Sequence, residues 1–303
     1  MMLTLLDGSM GQELVNRYDK PATGLWSTAV MIDRPDLVEA VHRDYFDAGA
    51  LIATTNTYGI LRDRLTRHDL EDRFAALHVQ ALELASRARD KNDGGYIAGS
   101  LGPTGWSYRP DLAPRAEEAA EIYAEIARIH APFVDLLICE TMASIDMALG
   151  AVMGAAVAGK PVWMALTVDD KDGTRLRSGE PVADVAPALA DHGVDAFLAN
   201  CALPEAINDT IPLLAEDRPR GAYANGFTEI KTEFARPDAS VAALDSRTDL
   251  DPPAYAAFAE HWLADGATIV GGCCEIGPAH IAHLRAHLEA AGHEFSTDLP
   301  GIG

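Results

Sequence analysis

Short apolar runs alternate with longer amphipathic segments along most of this 303-residue chain, and this alternation constrains the fold more than any other feature. The apolar runs have the length of buried strands, and the segments between them are rich in Ala, Glu and Arg, as helices are. Strict strand–helix alternation predicts a parallel sheet covered by helices. The predicted strands are Leu3–Leu6, Leu51–Thr54, Tyr96–Ser100, Val134–Ile138, Val162–Leu166, Ala196–Ala199, Gly221–Ala224 and Thr268–Val270. The predicted helices are Pro35–Asp47, Leu70–Lys91, Arg115–His130, Ser144–Ala158, Pro181–His192, Pro204–Ala215, Pro253–Ala264 and Pro278–Ala291.

The number of strand–helix units indicates which parallel fold the chain adopts. Eight strand–helix units predict a single (β/α)8 TIM barrel of the α/β class, with residues 1–303 as one domain. An open doubly wound sheet is the alternative, but no GxGxxG follows the first strand, which disfavours a dinucleotide-binding fold. Residues 225–251 break the rhythm with a long polar segment after the seventh strand. Loops of this length are usually lids or mobile insertions, so we expect a loop insertion there.

The composition limits the partners and the compartment. The net charge of −22 gives a surface that repels phosphate backbones, so we expect no nucleic-acid partner. No basic residue precedes Arg17, which is unlike a signal peptide, and the most apolar run, 149–159, is too short to span a membrane. The four cysteines form no disulfide framework. We therefore expect a soluble, cytoplasmic protein with reduced thiols and no membrane association.

Polar, glycine and thiol residues collect where the predicted strands end. In a (β/α)8 barrel the active site is built at these carboxyl ends. The segments at the strand ends are Asp7–Ser9, Thr54–Tyr58, Gly99–Gly105, Glu140–Thr141, Asn200–Cys201, Asn225–Gly226 and Gly271–Cys274. The sequence therefore places a candidate site at this rim, and three of the four cysteines lie there.

The three rim cysteines, Cys201, Cys273 and Cys274, follow the sixth and eighth strands, whose ends can converge. Three thiolates with an open fourth position are typical of a catalytic Zn2+ site. Cys139 precedes Glu140 on one strand, so if Glu140 points into the barrel mouth, Cys139 points to the helices. Glycines before the cysteine pair would let the backbone turn tightly.

The charge of such a centre bears on its chemistry. Zn2+ with three thiolates is a poor Lewis acid for making hydroxide, but it can bind and deprotonate an incoming thiol. This favours alkylation of sulfur over hydrolysis. The alternative functions are a zinc-dependent hydrolase and a non-catalytic zinc or thiol redox protein. For the cysteines themselves, the simplest alternative is a structural role as three small buried side chains without a metal.

Taken together, these strand-end sequences resemble the homocysteine S-methyltransferases, a family of zinc-dependent barrels. The matching pieces are DGSMG (7–11), LWS (25–27), TNTY (55–58), GSLGPTG (99–105), ET (140–141), NC (200–201) and GGCCEIGPAHI (271–281). The resemblance implies that Cys201, Cys273 and Cys274 hold zinc and that the thiolate of homocysteine takes the open position. The product would be methionine, and a homo-oligomer would be in keeping with the family.

The resemblance also implies substrate contacts at the rim. Asp7 and Glu140 would bind the amino-acid end of homocysteine, where a carboxylate would pair with the ammonium group. Asn56, Thr57 and Asn200, in the matching pieces, are further candidate homocysteine contacts. A carboxylate that caps the following turn is the alternative for Asp7, and a structural ion pair is the alternative for Glu140.

The methyl donor is the second expected substrate. The resemblance implies S-methylmethionine, another sulfonium such as S-adenosylmethionine, or betaine, and residues 25–38 look most like the members that use S-methylmethionine. Folate-dependent relatives carry further domains that we do not expect here. Aromatic faces bind such cations. The donor-binding candidates are Trp26, Tyr58, Asn225 and Phe227, with Trp106 and Tyr108 as further rim aromatics.

Two features receive no role in this interpretation. His280, His283 and His287 recur on one face of the last predicted helix, and because barrel helices lie outside we expect solvated surface histidines there. Glu275 follows the cysteine pair without an evident function.

Overall fold

The computed structural model describes residues 1–21, 23–92, 94–230 and 244–302. The strands are β1 (Met2–Leu5), β2 (Ile52–Thr54), β3 (Tyr96–Leu101), β4 (Leu136–Met142), β5 (Val162–Leu166), β6 (Ala196–Asn200), β7 (Arg220–Tyr223), β8 (Ile269–Val270) and β9 (Glu294–Phe295). The helices are α1 (Met10–Arg17), α2 (Ser27–Asp33), α3 (Pro35–Asp47), α4 (Arg62–Thr66), α5 (Phe74–Lys91), α6 (Ala116–His130), α7 (Ile145–Ala155), α8 (Val185–Ala188), α9 (Pro204–Thr210), α10 (Pro252–Ala264) and α11 (Pro278–Ala290).

The strands form one parallel sheet that closes on itself. The order runs from β2 through β8 to β1 and then β9. A parallel bridge between Leu6 and Ile52 joins the ends of β1 and β2, which closes the ring of eight. The predicted α/β TIM barrel is therefore confirmed. The ninth strand pairs with Met2 and Leu3, at the opposite end of the barrel from the cysteines.

Alternating side chains build two apolar layers. Inward-facing residues such as Ile138, Trp163 and Leu198 fill the barrel, whereas their neighbours along the strands pack against the helices. At the start of the strands Trp163 Nε1 donates a hydrogen bond to the carbonyl of Pro300 (3.0 Å), so the end of the chain covers the bottom of the barrel. The described residues leave a cavity at the other end of the barrel, at the carboxyl ends of the strands. Within the described residues, no helix combines the length and apolar character that a bilayer crossing requires.

Several predicted boundaries were wrong. The fourth strand begins and ends later than the predicted Val134–Ile138, and it includes both Cys139 and Glu140. The predicted helix at 181–192 is reduced to one short 3-10 turn and α8, because Pro187 cannot donate the backbone hydrogen bond of a longer helix. Helices α1, α2 and α4 and strand β9 were not predicted, since each is short.

Three fully buried histidines lie among the outer helices. His78 Nε2 donates to the carbonyl of Ile60 (3.0 Å), so its Nδ1 accepts from His130 Nε2 (3.0 Å). Neither ring nitrogen of His42 has a hydrogen-bond partner among the described residues. Burial lowers the pKa of His42 to about 3 and that of His78 to about 4.

These pKa shifts predict destabilisation in acid. The unfolded chain takes up protons at these rings below about pH 6.5, whereas the folded chain keeps them neutral until the folded-state pKa is reached. The free energy of unfolding should therefore fall as the pH drops from 7 to 5, by about 2 kcal/mol from His42 alone. Urea unfolding of His42→Leu should show a loss smaller by that amount. An identical pH dependence in the variant and the parent protein would contradict the assignment.

Candidate active site

A cavity of about 140 Å³ opens at the carboxyl ends of the strands, at the rim that the sequence predicts. Acids, thiols and aromatic rings from separate strand–helix units line it. These residues include Asp7, Trp26, Asn56, Tyr58, Arg64, Trp106, Tyr108, Glu140, Cys201, Tyr223, Phe227, Cys273 and Cys274. A concave site with a few convergent polar groups is the usual form of a small-molecule site.

Three cysteine sulfurs meet at one side of this cavity. Cys273 Sγ lies 2.8 Å from Cys201 Sγ, and the three sulfurs of Cys201, Cys273 and Cys274 all lie within 4.8 Å of one another. All four cysteines are free thiols. Hydrogen bonds from the two vicinal thiols hold the pKa of Cys201 well below its usual range. Cys139 is buried against the helices, as its neighbour Glu140 predicts.

The sulfur cluster has the size of a metal site. An ion bound tetrahedrally by three sulfurs at about 2.3 Å holds them about 3.8 Å apart. The 4.8 Å limit within which all three sulfurs lie admits that spacing, and the described residues contribute no fourth metal-type ligand to the group. The donor set therefore fits a thiophilic ion with one position left for a substrate.

Close backbone packing places the cysteine pair. A Cβ atom at Gly272 would lie 2.3 Å from Ile276, and one at Gly271 would lie 2.5 Å from Leu6. Neither glycine has the positive φ of a tight turn, so the predicted reason for these glycines was wrong. They are needed because the chain after β8 passes directly against its neighbours.

A second layer of residues supports Cys201. The hydroxyl of Tyr108 lies 3.0 Å from Cys201 Sγ, and the Arg177 guanidinium lies 4.9 Å from the centre of the Tyr108 ring. Arg177 forms a nearly buried ion pair with Asp170 (2.9 Å) and donates to the hydroxyl of Thr167 (3.0 Å). Thr167 in turn donates to the carbonyl of Cys201 (3.3 Å). Tyr108, suggested above as a donor aromatic, therefore contacts a metal-type ligand.

Replacing Tyr108 by Phe tests this second layer. Loss of the hydroxyl should lower metal affinity or activity about 10- to 100-fold, because outer partners of metal ligands typically contribute that much. Tyr96→Phe is the matched control, since the Tyr96 hydroxyl donates to Thr297 away from the cavity. Competition with a calibrated zinc chelator measures the affinity. Equal metal affinity and equal rates in the two variants would show that the contact between Tyr108 and Cys201 has no such role.

Two buried carboxyl groups line the cavity beside the thiols. Asp7 accepts hydrogen bonds from the backbone N–H and the hydroxyl of Thr54, each at 2.7 Å, so it ties β1 to β2. Glu140 accepts one from the Tyr223 hydroxyl (3.2 Å). Burial raises the pKa of Asp7 to about 8 and that of Glu140 to about 7. Both groups would gain from a cationic partner, because an opposite charge offsets the cost of burying a carboxylate.

The other predicted homocysteine contacts divide into two groups. Asn56 lines the cavity. Thr57 lies behind the wall, where its hydroxyl donates to the carbonyl of Ser100 (2.8 Å). Asn200 also lies behind it and holds Thr141 through that residue's backbone N–H and hydroxyl, each at 3.0 Å. Thr57 and Asn200 therefore support neighbouring strand ends instead of facing the cavity.

Aromatic rings form a further part of the cavity wall, the aromatic wall. Trp26 and Tyr58 pack edge to face, with ring centres 6.2 Å apart. Phe227 also lines the cavity, but Asn225 does not, and its side-chain oxygen accepts from the Phe227 backbone N–H (3.1 Å). Three of the four predicted donor-binding residues thus face the cavity, and Trp106 joins them.

Unusual backbone conformations cluster at this site. Trp26, Tyr108, Thr141 and Cys201 all have positive φ and all line the cavity. Non-glycine residues rarely adopt this conformation, and such strain concentrates at functional sites. Gly11 of the DGSMG piece makes room for one of them, because a Cβ there would lie 2.2 Å from the Trp26 ring. No local sequence signal marks these positions.

The residues without an assigned role lie outside the cavity. His287 pairs with Glu260 (2.8 Å) and stacks on His283, and His280 contacts the carbonyl of Leu250 (3.1 Å). Among the described residues, the three cysteines are the only cluster of this kind that could hold a metal, so the histidines form none. Glu275 has a positive φ, and one of its carboxylate oxygens is buried with no partner within the described ranges.

The predicted insertion at 225–251 is described only at its two ends. An antiparallel bridge joins Phe227 to Ser246, and Arg247 N–H donates to the Gly226 carbonyl (2.7 Å). The loop base is therefore anchored at the cavity wall, and its centre, 231–243, lies outside the described residues.

Known proteins are similar to this chain in both sequence and three-dimensional structure. The family model for homocysteine S-methyltransferase matches residues 4–288. The homocysteine S-methyltransferase of Escherichia coli (strain K12) is 30% identical over 94% of each chain. The homocysteine S-methyltransferase YbgG of Bacillus subtilis (strain 168) is 27% identical over 94% of each chain. The crystal structure of the metallated form of the homocysteine methyltransferase MmuM from E. coli superposes with a TM-score of 0.79 at 27% identity, over 95% of this chain and 96% of that one.

The family match covers the strands that carry the cysteines, the acids and the aromatic wall. The chain therefore belongs to the homocysteine S-methyltransferase family.

Proposed function

We propose that this protein transfers a methyl group from a small onium compound to the thiol of homocysteine, giving methionine. The observation that carries the proposal is the cluster of three cysteine sulfurs in a cavity that also holds two buried carboxyl groups. The relatives are homocysteine S-methyltransferases, which supports the same reaction here. In this proposal residues 1–303 act as one homocysteine-binding barrel domain.

The metal in this proposal is Zn2+, held by Cys201, Cys273 and Cys274. The crystal structure of a metallated E. coli relative supports a metal in this family, and the three-thiol donor set favours zinc over harder ions. Bound there, zinc would lower the pKa of the substrate thiol and leave its sulfur electron-rich.

The side chains around the sulfurs would bind and orient homocysteine. Glu140 is the better partner for its ammonium group, because Asp7 already accepts two hydrogen bonds from Thr54. Asn56 contributes an amide at the same wall. A pairing of this kind fixes the substrate's chain so that its sulfur lies at the cysteines.

The donor would occupy the space between the sulfurs and the aromatic wall. Trp26, Tyr58 and Phe227 line that space, and their faces can bind a sulfonium or quaternary ammonium group. In the transfer the homocysteine sulfur forms a bond to the donor methyl carbon. The bond from that carbon to the onium atom breaks, and its electron pair stays with the departing thioether or amine. S-methylmethionine, S-adenosylmethionine and betaine are the candidate donors.

A donor panel tests the proposal. Purified protein is incubated with homocysteine and each of the three donors in turn, and methionine is measured by mass spectrometry. Donors that carry a labelled methyl group must give labelled methionine. Methionine formation with at least one donor is expected. No methionine with any donor, together with hydrolysis of a model ester, would favour the hydrolase alternative instead.

A further inference from the structure

Arg64 places a positive charge on the wall of a cavity proposed to take a cationic substrate. It lies on α4, and its guanidinium lies 5.1 Å from the Trp106 ring centre and 5.9 Å from that of Tyr58. Among the described residues its buried Nε has no hydrogen-bond partner, and no carboxylate forms an ion pair with its guanidinium. Arg62 on the same helix, in contrast, pairs with Glu125.

A second donor on the same wall also lacks an acceptor. Trp26 Nε1 is buried without a hydrogen-bond partner within the described ranges. Trp26 packs against Tyr58, whose ring also faces Arg64, so both donors belong to one aromatic group. Buried N–H groups are nearly always paired in folded proteins, so two unpaired donors on one cavity wall point to an acceptor that arrives with a ligand.

The cavity is lined by groups of both charge signs. Asp7, Glu140 and the thiols provide the negative charge, and among the described residues that line the cavity Arg64 is the only arginine or lysine. An onium group must approach the sulfurs to react, and an anionic group elsewhere on the same ligand is then free to pair with Arg64. A ligand that fits this field carries its positive centre at one end and an anionic group at the other.

We propose that Arg64, with Trp26 Nε1, binds the carboxylate of the methyl donor, an inference that rests on the proposed function. The guanidinium fork suits a carboxylate, which can accept two parallel hydrogen bonds from it. The donor class is therefore an onium carboxylate. Onium compounds that lack a carboxylate, such as trimethylsulfonium, should be poor substrates because they leave Arg64 unpaired.

The test compares Arg64→Gln with Arg67→Gln. Arg67 is the matched control, since its guanidinium also lies over the Trp106 ring (5.6 Å) but does not line the cavity. Steady-state rates are measured with S-methylmethionine, with its methyl ester and with trimethylsulfonium. Arg64→Gln should lower kcat/KM for S-methylmethionine about 10- to 100-fold. The rate with the ester should change little, Arg64→Lys should recover part of the loss, and Arg67→Gln should behave as the parent protein does.

Other outcomes overturn the assignment. A higher KM for homocysteine, with an unchanged KM for the donor, would place the homocysteine carboxylate at Arg64 instead. An equal loss with the ester and the free carboxylate would show that Arg64 only supports the aromatic rings. If the parent protein makes no methionine with any donor, the proposed function fails. Calorimetric binding of S-methylmethionine to the parent protein and to Arg64→Gln then decides the inference separately, and equal affinities would contradict it.

Discussion

Replacing any one of Cys201, Cys273 and Cys274 by Ser is expected to remove bound zinc and methyl transfer together. Each sulfur would supply one of three protein ligands, and a serine hydroxyl is a much weaker zinc ligand than a thiolate. We expect the zinc content to fall from about one ion per chain to nearly none. Elemental analysis of the purified variants measures the metal, and methionine formation in the same samples measures the activity.

The fourth cysteine provides the control for this experiment. Cys139 is fully buried against the helices, one residue from Glu140, and takes no part in the sulfur cluster. Cys139→Ala should therefore retain zinc and activity, with at most a modest loss of stability from the smaller side chain. A serine variant at Cys201, Cys273 or Cys274 that kept both metal and activity would refute the assignment of the three ligands.

Replacing Glu140 by Gln should raise the KM for homocysteine about 100-fold and leave the KM for the donor nearly unchanged. The amide keeps the shape and the hydrogen bond with Tyr223 but removes the charge that would pair with the ammonium group. Breaking one partner of a buried charge pair costs about 2–5 kcal/mol, and a 100-fold change corresponds to about 3 kcal/mol. Initial rates with each substrate varied in turn separate the two KM values.

Glu275→Gln is the matched control for Glu140→Gln, because it makes the same chemical change at a residue next to the cysteine pair. Glu275 follows Cys274, but its side chain does not line the cavity. The Glu275→Gln variant should have a KM for homocysteine within about threefold of that of the parent protein. If Glu140→Gln behaves as Glu275→Gln does, the ammonium group is bound elsewhere, and the second carboxylate, Asp7, becomes the residue to test.

The barrel and the sulfur cluster could be predicted because both follow from long-range order in the fold. Parallel strands bring their carboxyl ends to one rim, so Cys201 after β6 and Cys273 after β8 were expected to meet although they are far apart in sequence. The alternation of side chains along β4 correctly placed Glu140 inside and Cys139 outside.

The contacts of the loops could not be predicted in the same way. Tyr108 reaches Cys201 from a loop, and Arg64 reaches the aromatic wall from the short helix α4 within the connection between β2 and α5. Tyr108 and Cys201 themselves adopt a positive φ, which residue type does not predict for either of them. For the same reason Thr57 and Asn200 could be placed at strand ends but not on one side or the other of the cavity wall. Sequence patterns predict the order of the strands and the side of each strand on which a residue lies. The packing of the loops decides which rim residues face the cavity.

The most direct measurement of the central claim follows methionine formation through metal removal and return. The protein is assayed with homocysteine and its best donor as purified, after chelation to a verified metal-free state, and after addition of one equivalent of zinc. The proposed function predicts activity in the first sample, its loss in the second and its recovery in the third. Methionine formation at an unchanged rate in the metal-free sample would contradict it.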